Sequence, residues 1–422
     1  MRRLLRAGRW MRRHEGLMWL LGFGALLVFF AGGLGFASRS YLHDGPLGEA
    51  MLVWHRLAEN LGFPFTVFFW KLPLPLWGAA KILGPVMAWL TFAGMLRVTP
   101  LAVRRIRLRL ARRRADAAGQ QCTAAPEPML SRRAFLTSAV TLNAGAALAV
   151  AYPTFVEPGQ LRVRRYEVDI AGLPAEFDGL RVGHISDTHL GPYIRAPHIE
   201  AAVRMLAAEK PDLTLLTGDY IHRTPETAED SIALLAPLAK AGFGAAAVLG
   251  NHDYEFQSTD KAITRAFERH GATVLTNRHI YLTPQGLRAK PAPGQPVLCV
   301  AGVDDLWRGN PDIDAALRGV PAEVPRLLLS HNPDVAELFV LNGRVPPRVD
   351  LMLSGHTHGG QVIIPGLGAP GTASRYGQKY VSGLVQGPRW PVIITHGVGM
   401  AVMPLRFCCP PEVGLVVLRR KP

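Results

Sequence analysis

The chain has 422 residues, and its 47 basic and 32 acidic residues give a formal net charge of +15 at pH 7. Residues 1–133 hold 20 of the basic and 6 of the acidic residues, so the rest of the chain is nearly neutral. A nucleic-acid-binding surface needs its own basic stripe, and this distribution argues against one on the C-terminal two thirds. Four cysteines in a chain of this length do not form a disulfide framework.

Three apolar stretches in the N-terminal part are predicted to span a membrane. Residues 17–38 carry no charge and exceed the roughly 20 residues that a spanning helix needs. Residues 72–96 are a second candidate, interrupted by one lysine and three prolines, and residues 134–155 are the third. Buried core helices are the alternative interpretation. Uncharged length and basic flanks argue against that alternative more strongly for the first stretch than for the third.

Basic residues around these stretches predict the topology. One cluster precedes residue 14, and a second runs from Arg97 to Arg114 and resumes at Arg132. Because short loops rich in Lys and Arg stay in the cytoplasm, both clusters are expected there. Residues 1–133 are therefore predicted to form a membrane region with about two spans and a basic cytoplasmic loop. The third span would carry residues 156–422 to the periplasmic face of the inner membrane.

The segment at residues 134–155 has a second interpretation. Residues 131–136, which read SRRAFL, resemble a twin-arginine export signal, although this one is internal and Thr137 departs from the usual Lys. The alternative is that Arg132 and Arg133 simply flank a third span, and both interpretations give the same orientation. Ala149 to Ala151 resemble a signal-peptidase site, and cleavage there would free the remainder of the chain.

Residues 156–422 are predicted to form one α/β domain. Apolar runs that predict buried strands alternate with helical stretches at Pro197–Lys210, Thr227–Ala241 and Thr259–His270. This alternation argues for βαβ units. From Val297 on, several strand runs follow one another with little helix between them.

Five of the predicted strands end in polar residues. These strands are Leu180–Ser186, Leu213–Thr217, Ala245–Leu249, Arg326–Ser330 and Val349–Ser354. The polar residues that follow them are Asp187, His189, Asp219, Asn251, His252, Asp253, His331, His356 and His358. In an open α/β sheet, ligands gather outside the carboxyl ends of the strands, so this pattern predicts one metal centre assembled from loops.

The donor chemistry supports a metal centre. Imidazole suits Zn, Fe and Ni, whereas carboxylate and carbonyl oxygens suit Mn and Mg. Seven oxygen and nitrogen donors are too many for one tetrahedral site, and they suit two metals that share a bridging carboxylate. The alternative is that polar residues at strand ends cap helices or close turns. That alternative would be preferred for Asp187 alone, but it is a poor explanation for five strand ends together.

The same residues, in this order, resemble the calcineurin-like metallophosphoesterases. The matching strings are Asp-x-His, Gly-Asp, Gly-Asn-His-Asp, a lone His and Gly-His-x-His, and the resemblance covers about residues 160 to 420. Residues 330–334 (SHNPD), residues 354–361 (SGHTHGGQ) and the tail from Pro404 to Val413 resemble a membrane-associated bacterial branch. That branch is similar to twin-arginine-exported phosphodiesterases and to UDP-2,3-diacylglucosamine hydrolase-like proteins.

The resemblance implies a fold and a ligand set. The expected fold is a two-sheet sandwich flanked by helices, an α/β/β/α arrangement. Two divalent ions, Mn, Zn or Fe, would be bound. One ion would be held by Asp187, His189 and His358, the other by Asn251, His331 and His356, with Asp219 bridging them. His252 would contact the phosphoryl oxygen or protonate the leaving group, and Asp253 would orient it.

The expected reaction is hydrolysis of a phosphodiester or pyrophosphate by a hydroxide activated between two metals. A lipid or lipid-linked envelope substrate is expected, because a domain tethered close to a bilayer meets membrane-borne substrates at high effective concentration. Two alternatives stay open, a scavenging phosphodiesterase for soluble esters and a non-catalytic membrane receptor or scaffold. The presence of both His252 and Asp219 weighs against the second alternative.

The remaining histidines and cysteines have weaker claims to a function. Structural or surface roles are expected for His184, His198, His222 and His279. His396 ends the apolar run Pro391–Ile394 and is left as a candidate pocket residue. For the pair Cys408 and Cys409, core packing is preferred to metal binding because no further Cys or His lies nearby in the sequence.

Overall fold

The structure is a computed structural model that describes residues 152–240, 242–341 and 347–421. The predicted spans at residues 17–38 and 72–96 lie outside the described residues, as does nearly all of the predicted segment 134–155. Within the described ranges, no helix has both the length and the apolar character needed to cross a bilayer. The described chain begins with one helical turn, Tyr152–Val156.

Strands, numbered here along the chain, form two sheets. The first sheet contains β1 (Arg162–Ile170), β2 (Arg181–Ile185), β3 (Leu213–Thr217), β4 (Ala245–Val248), β5 (Ala272–Val274) and β13 (Glu412–Arg420). Their order across the sheet is β1-β13-β2-β3-β4-β5. Strands β2 to β5 run parallel to one another. Strand β13 lies between β1 and β2, parallel to the former and antiparallel to the latter.

The second sheet has seven strands. They are β6 (Arg278–Thr283), β7 (Gly286–Arg288), β8 (Leu298–Gly302), β9 (Arg326–Leu329), β10 (Leu351–Ser354), β11 (Gly383–Gln386) and β12 (Pro391–Ile394). Their order is β11-β12-β10-β9-β8-β6-β7. The four central strands are parallel, and β11, β6 and β7 pair antiparallel at the two edges.

Side chains of the first sheet point alternately toward the second sheet and toward the helices. In β4, Ala246 and Val248 face the second sheet, whereas Ala245 and Ala247 face the helices. Side chains alternate between the two faces of a strand, so a strand that is apolar throughout is buried on both faces. The small alanine side chains leave room for the helices to approach the first sheet closely.

Helices cover both outer faces. They are α1 (Ala196–Ala208), α2 (Ala228–Ala239), α3 (Thr259–Arg269), α4 (Ile313–Ala316) and α5 (Leu338–Leu341). Helices α1 to α3 bury Ile199, Ile232 and Phe267 against the first sheet. Helix α4 and the turn Pro333–Glu337 pack on the second sheet, around Val335. The predicted two-sheet sandwich with helices on both outer faces is confirmed for the described residues.

Candidate metal centre

The loops at the carboxyl ends of β2, β3, β4, β9 and β10 contain the predicted site residues. Asp187 follows β2, Asp219 follows β3 and Asn251 follows β4. His331 follows β9 and His356 follows β10 in the second sheet. The site therefore lies where the strand ends of both sheets meet, as expected for an α/β architecture.

Five of the seven predicted ligands have left-handed backbone conformations. The φ angles are 53° at Asp187, 47° at His189, 57° at Asp219, 69° at His356 and 51° at His358. For residues other than Gly this region is sparsely populated, although Asp, Asn and His enter it most readily. The residue types that offer metal donors are thus also those that best tolerate these sharp turns.

Two glycines leave room for the site carboxylates. A Cβ atom at Gly355 would overlap Asp187 Oδ2, and one at Gly250 would overlap Asp219 Oδ1. Any larger residue at either position would displace a carboxylate. The glycines of the Gly-Asn-His-Asp and Gly-His-x-His strings are therefore required by packing against the site.

One cluster of donors consists of Asp187, His189 and His358. The Nε2 atoms of His189 and His358 lie 3.0 Å apart. Asp187 Oδ1 lies 3.3 Å from Nε2 of His358 and 3.9 Å from Nε2 of His189. All three side chains are buried. This is the geometry of a metal-binding group that converges on one point.

The second cluster consists of Asp219, His331 and His356. Nε2 of His331 lies 3.1 Å from Asp219 Oδ2 and 3.1 Å from Nδ1 of His356. His331 Nδ1 lies 2.7 Å from the Thr217 carbonyl oxygen, which can only accept a hydrogen bond. Nδ1 therefore carries a proton, and Nε2 faces the cluster, where it can bind a cation once it is deprotonated, as in protein metal sites whose second ring nitrogen is held by a carbonyl.

Asp219 joins the two clusters. Its Oδ2 atom lies 3.5 Å from His189 Nε2 in the first cluster as well as 3.1 Å from His331 Nε2 in the second. Its Oδ1 atom accepts a hydrogen bond of 2.8 Å from the His252 backbone N–H. One oxygen is thus held by the backbone while the other stands between two groups of donors, the position expected of a bridging ligand.

The donor set fits a pair of divalent cations. Across residues 152–240, 242–341 and 347–421, the buried Asn251 Oδ1 atom has no hydrogen-bond partner. The Nε2 atoms of His189 and His358 face each other at 3.0 Å, where a hydrogen bond pairs them only while one is protonated and the other is not. Buried polar atoms are normally paired, and cations bound between these donors would supply the missing partners.

The protonation of the site follows from burial and from Asp219. Burial raises the pKa of Asp187 to about 6. Burial lowers the pKa of His331, but the charge and hydrogen bond of Asp219 outweigh it and raise that pKa to about 10. Burial likewise lowers the pKa of His189 to about 3. Metal ligands must be deprotonated, so binding of cations would release the proton of His331.

The two predicted catalytic residues have different surroundings. His252 is at the open side of the site, with a 21% exposed side chain and a ring centroid 5.0 Å from that of His189. Asp253 is fully buried and accepts backbone hydrogen bonds of 2.8–2.9 Å from Asp219, Tyr220 and Gly250. Its carboxylate thus ties the β3 loop to the β4 loop.

Two residues near the site were not predicted from the sequence. Glu255 Oε2 lies 3.2 Å from His252 Nδ1, so Glu255, and not Asp253, is the carboxylate in contact with that ring. His222 was expected to have a structural or surface role, yet it is buried with its ring centroid 4.9 Å from that of His252. The three-residue spacing of His252 and Glu255 on one helical turn was the only sequence signal for the first contact.

The other histidines, and one of the cysteines, form hydrogen bonds with hydroxyl or backbone carbonyl groups. His184 pairs with the Thr217 hydroxyl at 2.9 Å, and His198 and His279 bond to backbone carbonyls. His396 lies 3.0 Å from the Pro410 carbonyl oxygen and 3.5 Å from the Glu412 carboxylate. Cys409 is buried and its thiol donates to the His358 carbonyl at 3.1 Å, whereas Cys408 is exposed, so the predicted core packing of this pair is wrong for Cys408.

A two-sheet α/β sandwich whose strand ends hold joined His and Asp clusters is typical of metal-dependent hydrolases.

Comparison with known proteins identifies the family within this class. Residues 180–360 match the family model described as calcineurin-like phosphoesterase. The metallophosphoesterase YkuE of Bacillus subtilis is 32% identical over 297 residues, 69% of this chain and 98% of YkuE. Phosphodiesterase YaeI of Escherichia coli is 31% identical, covering 69% of this chain and 100% of YaeI. UDP-2,3-diacylglucosamine pyrophosphatase LpxG of Chlamydia trachomatis is 27% identical, covering 66% of this chain and 95% of LpxG.

The chain belongs to the calcineurin-like metallophosphoesterase family. The resemblance inferred from the sequence strings is thereby confirmed. The protein is a hydrolase of phosphoric esters of a family that depends on two metal ions, and its His and Asp clusters can bind metal.

The two clusters predict separable metal losses. In the purified full-length chain, His358→Ala and His356→Ala should each reduce the metal content from two ions to about one, because each removes a donor from a different cluster. Asp219→Ala should reduce it further, because its carboxylate contacts both clusters. Inductively coupled plasma mass spectrometry after gel filtration measures this. His279→Leu is the control and should retain two ions. Retention of two ions by both single-cluster variants would contradict the assignment.

Proposed function

We propose that the protein hydrolyses a phosphodiester or pyrophosphate bond at a dinuclear centre. Asp187, His189 and His358 would hold one ion, Asn251, His331 and His356 the other, and Asp219 would bridge them. The observation that carries this proposal is the position of Asp219 Oδ2, within 3.5 Å of a donor nitrogen in each cluster. Mixed nitrogen and oxygen donors suit Mn, Zn or Fe. Bound there, two such ions would polarise the phosphoryl oxygens and lower the pKa of a water.

His252 is proposed as the proton donor to the leaving oxygen. Burial lowers the pKa of its imidazole, but the charge of Asp219 and the hydrogen bond that the ring donates to Glu255 outweigh burial and raise it. A raised pKa keeps the ring protonated, which a general acid requires. The backbone of His252 is fixed by its N–H bond to Asp219, so the ring is held beside the bridging carboxylate.

Turnover of an activated substrate tests the proposed reaction. The full-length chain in detergent should hydrolyse bis-p-nitrophenyl phosphate when Mn or Zn is added. His252→Ala should lower kcat by about 10²–10⁴-fold, the usual contribution of positioned proton transfer, with metal content preserved. Asp219→Ala should abolish turnover. Undiminished activity of the Asp219→Ala variant would refute the dinuclear assignment.

The Glu255–His252 contact predicts a shift in the pH profile. The Glu255 carboxylate favours the protonated imidazole, so Glu255→Gln should lower the pKa of His252. The alkaline limb of kcat, where the general acid loses its proton, should therefore move to lower pH. Glu229→Gln is a matched control, because Glu229 forms a similar pair with His270 on the surface, at 3.3 Å. An unchanged alkaline limb in Glu255→Gln would exclude Glu255 from this role.

We further propose that the substrate is a lipid or lipid-linked phosphoester. An apolar patch of exposed side chains supports this, formed by Phe155, Val156, Ile364, Leu367 and Val402, which are 37–79% exposed. Exposed apolar clusters of this kind mark membrane or protein contacts. Residues 134–152, which precede Phe155 in the sequence, contain no charged residue. The bilayer surface is therefore the proposed partner of the patch.

Hydrogen bonds join the three segments that contribute to the patch. The Arg406 N–H donates to the Pro153 carbonyl at 2.9 Å, and the Ile363 N–H donates to the Phe407 carbonyl at 2.8 Å. The Gln361 side chain accepts from Ala401 N–H at 2.7 Å and donates to the Met403 carbonyl at 3.0 Å. These bonds hold the three segments of the patch together, three residues beyond His358.

Two substrates distinguish a membrane-borne from a soluble ester. In proteoliposomes, Leu367→Glu should lower turnover of UDP-2,3-diacylglucosamine about tenfold, or about 1.4 kcal/mol, while hydrolysis of bis-p-nitrophenyl phosphate is unchanged. Leu384→Glu is the matched control, since Leu384 is 46% exposed on the edge strand β11 outside the patch. If the wild type hydrolysed soluble diesters and no acylated substrate, the scavenging alternative would replace the lipid proposal.

A further inference from the structure

His222 is held in place by the backbone of two loops. Its N–H donates to the Leu190 carbonyl at 2.9 Å, and Leu190 in turn pairs with Ile221 in an isolated parallel bridge. The Thr224 hydroxyl lies between the carbonyls of Leu190 and His222, at 3.2 and 3.3 Å. The side chain is 1% exposed. Its position beside the site is therefore a property of the loop framework.

Three rings surround that of His222. The ring centroid lies 4.9 Å from that of His252, 5.4 Å from that of His189 and 5.4 Å from that of Tyr193. His189 is approached almost at right angles, with an interplanar angle of 87°. His222 thus lies next to one proposed metal ligand and to the proposed general acid.

Neither ring nitrogen of His222 has a hydrogen-bond partner among the residues that the structure describes. Burying an unpaired polar atom costs free energy, and a leucine of similar volume would pack here without that cost. The other buried histidines near the core, such as His184, have at least one ring nitrogen paired. A buried imidazole with both nitrogens unpaired next to a catalytic site indicates a partner supplied by a ligand.

The geometry identifies the kind of partner. One ring nitrogen from each of His189, His222 and His252 lies within 4.8 Å of the others. An oxygen atom placed among these nitrogens can accept a hydrogen bond from a ring N–H. The group also lacks a carboxylate, and His189 Nε2 already faces His358, so an oxygen atom fits better than a third cation.

We propose that His222 is a substrate-binding residue that, beside His252, donates a hydrogen bond to a phosphoryl oxygen. This inference rests on the proposed function, in which a phosphoryl group is bound between the clusters. A neutral imidazole provides one N–H donor for such an oxygen. No covalent step is assigned to His222.

Inorganic phosphate, the simplest ligand with this oxygen, tests the proposal. Phosphate should raise the Tm of the metal-loaded, full-length wild type, and His222→Leu should lose that rise. Without phosphate, the Tm of His222→Leu should equal or exceed that of the wild type, because an unpaired buried polar group is removed. Its kcat/KM for bis-p-nitrophenyl phosphate should fall about 10- to 100-fold, with both metal ions retained.

Two further variants make the test specific. His222→Gln keeps an N–H donor and should restore part of the phosphate response and of kcat/KM. His279→Leu is the matched control. It also removes a histidine ring, but this ring pairs with the Ala316 carbonyl at 2.7 Å and is not part of the site. That variant should lose stability and keep the full response to phosphate.

The outcomes separate the two proposals. A phosphate response that persists in His222→Leu, or that is absent from the wild type, overturns the assignment. Loss of a metal ion in His222→Leu also overturns it and would make His222 a metal ligand. If the wild type bound phosphate through His222 but hydrolysed no ester, the proposed function would fail while the binding role stood.

Discussion

Burial of three carboxylates at one point is the constraint on which the rest of the domain depends. Asp187, Asp219 and Asp253 are 0–2% exposed, and an ionised carboxylate removed from water needs charge or hydrogen-bond compensation. Asp253 receives that compensation from three backbone N–H groups, and burial still raises its pKa to about 7. Within the described residues, Asp187 and Asp219 each accept a hydrogen bond from only one backbone N–H, and they also face imidazoles. Backbone donors thus stabilise the carboxylate that holds the loops, and metal ions would neutralise the other two.

Several site residues adopt unfavourable backbone conformations to bring these groups together. Left-handed φ angles at five donor residues, and glycines that nearly touch two carboxylates, bring groups from both sheets into one small volume. Strained residues of this kind persist only where the surrounding structure determines them, and they cluster at functional sites. Here the surroundings include Arg406, whose fully buried guanidinium donates to the carbonyls of His396 at 2.8 Å and Cys409 at 3.0 Å. The segment that it holds supplies the Gly399 N–H that donates to the Asp187 carbonyl at 2.6 Å.

The apolar runs and the polar residues after them correctly predicted the strands and the residues at their ends. The apolar runs before Asp187, Asp219, Asn251, His331 and His356 became strands whose ends differ by at most two residues from the predicted ends, and all seven proposed ligands lie at the carboxyl edge. The contacts of His222 could not be predicted, because they depend on which loops touch across the sheet, whereas the Glu255 contact with His252 is local and left only a three-residue spacing as its signal. The bridge between Leu190 and Ile221, which buries His222, leaves no periodic signal. The membrane predictions concern residues outside the described ranges and remain predictions.

The place of β13 has a consequence for biosynthesis. This strand is translated after every other described strand, yet it lies between β1 and β2 and pairs along nine residues of β1. Until the ribosome has released it, β1 has no neighbour in the sheet and the Asp187 strand lacks one of its two. Domains usually fold as units during synthesis, but non-local pairing of this kind delays closure of the sheet. The nascent chain would therefore expose strand edges for most of its synthesis, and its fold would be completed only after translation of residue 420.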